Sequence, residues 1–269
     1  MIQVDWSKSR SACPACDRGG KDDALGITRN DDGSLIAHCF RCGYVERLSN
    51  DDGRVIHAGR PRPAKRHETL SDYGSKLWNE CIGLRGTAGE DYLLARGCVI
   101  PPADGDLKYH PALKHSPSGD IGPALVALVT DAVTREPLTL HRTWIRADGN
   151  KADVDRPRML LAGHRKEGGV VRLWGDEAVT LGLGIAEGIE SALSLAHAFQ
   201  PVWCAVDAGN LGKFPVLAGV ESLTIAADGD PAGIVAAKKC ATRWFKAGRE
   251  VFMVEADEGE DVNDLVRAA

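Results

Sequence analysis

Four acidic residues follow hydrophobic runs in the last third of the chain: Glu187 after 181–186, Asp228 and Asp230 after 222–227, and Asp261 shortly after 251–256. Carboxylates are hard oxygen ligands. Two of them two residues apart, with glycines allowing close approach, suit a Mg²⁺ that keeps several waters for substrate phosphates. Asp228 and Asp230 also stand just before Pro231, where Asp caps a helix well, and capping and metal binding are compatible. A second constellation lies at the other end of the chain, Cys13-Pro14-Ala15-Cys16 and Cys39-Phe40-Arg41-Cys42. Two such knuckles close a tetrahedron of thiolates around zinc, and four protein ligands make that zinc structural. So small a module cannot bury enough apolar area by itself, so metal binding there is folding energy. His38, adjacent to Cys39, reads either as an alternative ligand or, with four cysteines at hand, as a surface or contact residue. Phe40, Arg41 and Tyr44 bring two rings and a charge to the second knuckle, either to stack single-stranded bases or to pack the ribbon.

Elements must carry these residues to one place. From 177 onward the pattern alternates: strand 181–186, helix 189–199, strand 202–206, strand 222–227, helix 231–247, strand 250–256, helix 261–268. That predicts a small parallel α/β domain. Ligands in such sheets gather beyond the carboxyl ends of the strands, where acids distant in sequence converge. Asn210, in the loop after the second strand, is expected at the same end. Before this domain, helices are expected near 70–81 and 91–96, and strands at 123–130, 137–145 and 169–174 suggest an antiparallel sheet. Arg142 and Lys151 flank one of these strands and its turn. They read either as phosphate contacts or as ordinary surface charge. Between the cysteine module and the rest, Arg54, Arg60, Arg62, Lys65 and Arg66 are interleaved with Gly and Pro as a basic linker. The fold class is thus α/β in its last domain and α+β over the whole chain.

The 269 residues suffice for a real core, at 43% hydrophobic content. No run approaches 18 apolar residues and the start, MIQVDWSKSR, has no apolar signal-peptide region, so a soluble cytoplasmic protein with no membrane partner is expected. Of eight cysteines, four are paired in knuckles and Cys81, Cys98, Cys204 and Cys240 stand singly, a usage that suits a reducing compartment. The net charge of −5 gives no global attraction to nucleic acid, but carboxylates at a site bias the total while local basic segments bind.

The ordered set Glu187-Gly188, Asp228-x-Asp230 and Asp261 resembles the Toprim family, shared by primases, topoisomerases, some nucleases and recombination mediators. Glu187, Asp228 and Asp230 match its motif residues, and Asp261 matches a third acid found in many primase members. His38-Cys39-Phe40-Arg41-Cys42-Gly43 is similar to the second zinc knuckle of bacterial and phage primases. Cys16 stands where many bacterial primases have histidine, so the site looks more like that of phage enzymes. The segment from Tyr92 through Arg96-Gly97, with His141-Arg142-Thr143, Lys151 and 169–173, resembles the primase region of plasmid- and phage-borne Toprim proteins. The resemblance implies a zinc ribbon at 1–50, a linker at 51–66, the amino-terminal part of a primase core at 67–176 and a Toprim domain at 177–269. It also implies primer synthesis on single-stranded DNA from nucleoside triphosphates, in a bacterial cell or a phage-infected one. Mg²⁺ or Mn²⁺ would sit on Glu187, Asp228, Asp230 and Asp261, and zinc on Cys13, Cys16, Cys39 and Cys42. Arg142, Lys151, His141, Asn210, His38 and Arg41 would contact nucleotide or template. A P-loop motif is absent, so unwinding is expected from a separate helicase. A Toprim nuclease and a noncatalytic DNA-binding recombination protein are the alternatives.

Overall fold

The computed structural model describes residues 3–16, 24–30, 32–39, 41–49, 55–56 and 66–268, in two compact units, Met1–Arg66 and His67–Ala269. In the first unit, β1 (Arg10–Ser11), β2 (Leu25–Arg29), β3 (Leu35–Cys39), β4 (Val45–Leu48) and β5 (Val55–Ile56) form an antiparallel sheet in chain order. Its core is Cys13, Leu25, Ala37 and Cys39, with Trp6, Ile27 and Tyr44 packed against it. Two of those four buried residues are thiols, so little apolar area remains to hold the unit together without a metal. Val55 and Ile56, expected in the linker, instead pair with β4. The linker residues Arg54, Arg60, Arg62 and Lys65, and also Phe40, lie outside the described residues.

The second unit begins with α1 (Asp72–Glu80) and α2 (Ala88–Ala95). Each is capped by a hydroxyl: Ser71 accepts from the Gly74 N–H and Thr87 from that of Gly89. An antiparallel sheet follows, made of β6 (Leu107–Lys114), β7 (Ile121–Asp131), β8 (Pro137–Trp144), β9 (Arg158–Leu160) and β10 (Gly169–Val170). The long β7 pairs with β8 along one side, and with β6 and then β10 along the other. The sequence pattern missed β6 because Pro111 interrupts it, and the structure accommodates that proline at a register shift between His110 and Leu113. The strand expected at 169–174 is cut to two residues, because at Val171 the chain leaves β7 and bridges Cys204 of the next sheet.

That next sheet is parallel, in the order β12 (Val202–Cys204), β11 (Gly182–Ala186), β13 (Ser222–Ala227), β14 (Glu250–Glu255). α3 (Ile189–Leu195), α4 (Ala208–Leu211), α5 (Pro231–Lys246) and α6 (Val262–Ala268) connect and follow its strands. All seven residues of α3 are buried, as expected of a helix covered on every side, and α4 was not anticipated from the sequence. One hydrophobic cluster runs from Leu84, Tyr92 and Leu93 through Leu125, Ala127 and Val171 to Ala186, Leu193 and Val262, so both sheets of this unit share a core. Among the described residues no helix is long and apolar enough to cross a membrane.

Candidate functional site

The carboxyl ends of β11 and β13 open onto a cleft of about 310 Å³ whose lining includes Glu187, Asp228, Asp230, Asp261 and Asp264. Each acid is positioned by local backbone chemistry. Asp228 Oδ1 accepts from the Ser191 hydroxyl at 2.9 Å and from the Val262 N–H at 3.3 Å, which ties the end of β13 to the starts of α3 and α6. Asp230 caps α5, accepting from the Gly233 N–H at 2.7 Å with Pro231 in the first turn. Asp261 and Asp264 exchange backbone-to-carboxylate hydrogen bonds of 3.1 and 3.0 Å in the manner of a capping box. Gly229, between the two aspartates, admits no side chain: a Cβ there would lie 1.9 Å from the Asp257 carbonyl oxygen. Its N–H donates to the Glu260 carbonyl at 2.8 Å, which laces the loop of Asp228 to that of Asp261.

Burial, with the charges of Asp228 and Asp230, holds the Glu187 carboxyl above its usual range, and burial raises Asp228 against the pull of Ser191 and Val262. Glu187 Oε2 is buried and has no protein partner. An orphaned hard acceptor beside two aspartates fits a divalent cation that supplies the missing positive charge. The carboxylates are spread more widely than a closed ligand shell, since among the described residues only four thiols gather within 4.8 Å of one another. Such spacing suits a cation that keeps part of its water.

Cations line the cleft as well. Arg96, Lys151 and Arg158 line the same cleft, and with them Glu190. Lys151 stands after the turn 146–150, closed by an Arg146 N–H to Asn150 carbonyl bond of 2.8 Å, and pairs with Ile145. Gly149 of that turn approaches α2 so closely that a Cβ would lie 2.6 Å from Ala95 Cβ, which brings Lys151 to the end of the helix where Arg96 sits. Arg158 comes from β9, opposite Thr143 of β8. Glu190 is 7% exposed. Its Oε1 accepts from the Tyr92 hydroxyl at 2.8 Å and lies 3.8 Å from Lys151 Nζ, while its Oε2 lies 4.0 Å from Arg158. Burial would raise this carboxyl, but Lys151, Arg158 and Tyr92 outweigh it and hold it below its usual range.

Of the residues expected to contact nucleotide or template, Lys151 lines the cleft and others do not. Arg142 is buried, donates to the Leu160 carbonyl at 3.0 Å and lies over the Trp144 ring. Strand alternation explains this: on β8, Arg142 shares a face with Leu140 and Trp144, which pack toward Leu77 of α1, and its neighbour His141 takes the other face. His141 borders a cavity of about 20 Å³ together with Arg158, Gly188 and Val206, and burial pushes its pKa down to about 4. Asn210 is structural. Its amide donates to the carbonyls of Lys166 and Gly169 and its carbonyl accepts from the Gly168 N–H, so its hydrogen bonds go to the loop before β10. Arg96, Arg158 and Glu190 were not singled out as site residues. For Glu190 a signal existed, since it lies three residues after Glu187 and so within the first helical turn.

In the first unit Cys13, Cys16, Cys39 and Cys42 form the thiol cluster. Cys13 Sγ lies 3.6 Å from Cys42 Sγ and Cys16 Sγ 3.8 Å from Cys39 Sγ. A tetrahedron with metal–sulfur arms of about 2.3 Å has edges of roughly 3.8 Å, so the donor set fits a four-coordinate metal. His38 is exposed on β3 while Ala37 and Cys39, on the alternate face, are buried, and Arg41 is exposed in the knuckle turn. Tyr44 packs against the thiol core and donates its hydroxyl to Glu46 at 2.8 Å, so packing is the role it has here.

Residues 68–173 match a family described as a domain of unknown function (DUF7146), and residues 182–269 match the Toprim domain family. No curated protein sequence matches the chain. Among solved structures it is similar to a DNA primase domain from Pseudomonas aeruginosa, at 16% identity and a TM-score of 0.46 over 74% of each chain. It is also similar to the zinc-binding and RNA polymerase domains of the Aquifex aeolicus primase, at 16% identity and a TM-score of 0.45 over 99% of this chain and 77% of that one. For the primase fragment of the bacteriophage T7 primase-helicase protein the values are 16% and 0.43, over 94% and 92%. The parallel sheet whose strand ends carry Glu187, Asp228 and Asp230 is therefore part of a Toprim domain, spanning residues 182–269.

Proposed function

We propose that this chain is a DNA primase, joining ribonucleotides on a single-stranded DNA template by metal-dependent nucleotidyl transfer. The observation that carries the reading is the one cleft lined both by Glu187, Asp228, Asp230 and Asp261 and by Arg96, Lys151 and Arg158. A substrate carrying both a metal-bound polyphosphate and free anionic oxygens satisfies both sets of charges. A Mg²⁺ or Mn²⁺ held by the four carboxylates would neutralise the triphosphate and lower the pKa of the attacking 3′-hydroxyl. Arg96, Lys151 and Arg158 stabilise negative charge on the phosphoryl group in transfer and on the departing pyrophosphate. Glu187, whose carboxyl is raised and whose Oε2 has no protein partner, either joins the metal shell or receives the hydroxyl proton. Zinc on the four thiols would fold the first unit, with His38 and Arg41 turned outward to meet the template.

The test is primer synthesis from labelled nucleotides on mixed single-stranded DNA with Mg²⁺ or Mn²⁺, comparing the wild type with Asp228→Ala. Short products of defined length that vanish in the variant are expected. Degradation of the template by the wild type instead would assign the cleft to a nuclease. DNA binding with neither activity would assign the protein to a noncatalytic role.

A further inference from the structure

Glu190 touches or organises every cation of the cleft's basic wall. It faces Lys151 Nζ and Arg158 at 3.8 and 4.0 Å. Its bond from the Tyr92 hydroxyl fixes the ring against which Arg96 lies, 5.8 Å from guanidinium to ring centroid. These groups come from four separate elements: α2 and its cap, the turn after β8, β9 and α3. The distances to Lys151 and Arg158 exceed hydrogen-bonding range, so both cations are attracted to Glu190 while their N–H donors remain available to the cleft. Arg96 Nε is likewise buried without a partner beside it. A carboxylate with only 7% exposure, held by a tyrosine and flanked by two cations it does not saturate, is an anchor for an anion-binding surface.

We infer that Glu190 is a positioning residue, which sets Arg96, Lys151 and Arg158 in the geometry that receives the nucleotide triphosphate without touching the nucleotide. The inference rests on the primase reading for its substrate and on the observed contacts for its geometry. Neutralising Glu190 removes the counter-charge of Lys151 and Arg158 and lets both side chains leave the wall for solvent. Nucleotide binding then weakens, although the cleft has become more positive. A carboxylate that merely opposed anions would give the reverse sign.

The experiment measures affinity for a fluorescent ATP analogue in the presence of Mg²⁺, and KM and kcat for primer synthesis, in wild type, Glu190→Gln, Glu190→Asp, Lys151→Met and the Glu190→Gln/Lys151→Met pair. Glu190→Gln should weaken binding and raise KM by roughly tenfold, the scale of one mispositioned charge contact, with a smaller change in kcat. Glu190→Asp should recover part of the loss. Glu190→Gln should add little to Lys151→Met, because residues acting through one contact are not additive. Unchanged or tighter binding in folded Glu190→Gln, or full additivity with Lys151→Met, overturns the inference. Should Glu190→Gln fail to fold, Tyr92→Phe decides: it removes only the hydroxyl that fixes Oε1 and should weaken binding in the same direction by a smaller factor, whereas wild-type affinity would overturn the inference. The binding arm needs no turnover, so a wild type that makes no primers would refute the primase reading and leave the role of Glu190 to be decided by affinity alone.

Discussion

Two ionisable groups near the cleft, half-buried His141 and buried Glu190, show that burial fixes charge only where neighbours do not outweigh it. Burial disfavours the charged form of both; Lys151 and Arg158 outweigh it at Glu190, whereas at His141 burial prevails over the pull of Glu190, helped by Arg158, Arg142 and Lys151. The histidine is neutral and the glutamate ionised. Asp106 gives the same contrast away from the cleft. Burial pushes its carboxyl up from 3.8 to about 6, partly offset by Arg172. Between those two values the native state holds more protons than the unfolded chain, so stability from this group is present at low pH and is lost as pH rises through about 6. Asp106→Asn should therefore raise the thermal midpoint by roughly 2–4 °C above pH 6 and change it little below pH 4. Melting curves across that range check this, and a pH-independent difference would refute it. At this scale the sequence displayed the acids and thiols, because short spacing and strand ends mark them. It did not display Arg96 or Arg158, whose proximity arises only when α2 and β9 pack beside α3, and marked Glu190 only by its spacing from Glu187; nor did it display the inward turn of Arg142 and Asn210, which strand alternation and the carbonyls of the loop before β10 impose.

Elements of the parallel half were the most legible. The expected strand at 222–227 is found as β13, and the helix expected at 231–247 ends one residue early, because a capping aspartate, Pro231 and a regular apolar pattern all agree there. The antiparallel half was less so, since an edge strand carrying a proline and a strand that changes sheets after two residues both break the period on which reading depends. Loops decide the acid geometry. Gly229→Ala forces a Cβ toward the Asp257 carbonyl and must part the two loops that carry Asp228 and Asp261. A displacement of that kind should slow primer synthesis on the order of a hundredfold while the melting midpoint changes by a few degrees. Wild-type turnover by the variant would show that the loop tolerates the shift.

At the scale of the molecule, the cysteines report separately on the two units. Cys13, Cys16, Cys39 and Cys42 belong to the first, and Cys81, Cys98, Cys204 and Cys240 lie buried in the second, where burial raises their thiols, to about 11 for Cys81 and about 12 for Cys98 and Cys240. After treatment with a chelator, four thiols should react rapidly with an aromatic disulfide reagent, and the other four only when the second unit unfolds. Eight thiols reacting together would contradict this independence. The second unit behaves otherwise. Residues 68–173 and 182–269 match different families, yet Val171 exchanges two backbone hydrogen bonds, 2.8 and 2.9 Å, with Cys204 across that seam. The same hydrophobic cluster continues on both sides. The boundary between two family matches thus runs through the middle of one compact unit, and neither segment can be transplanted as a cassette unless the apolar face that meets its partner travels with it.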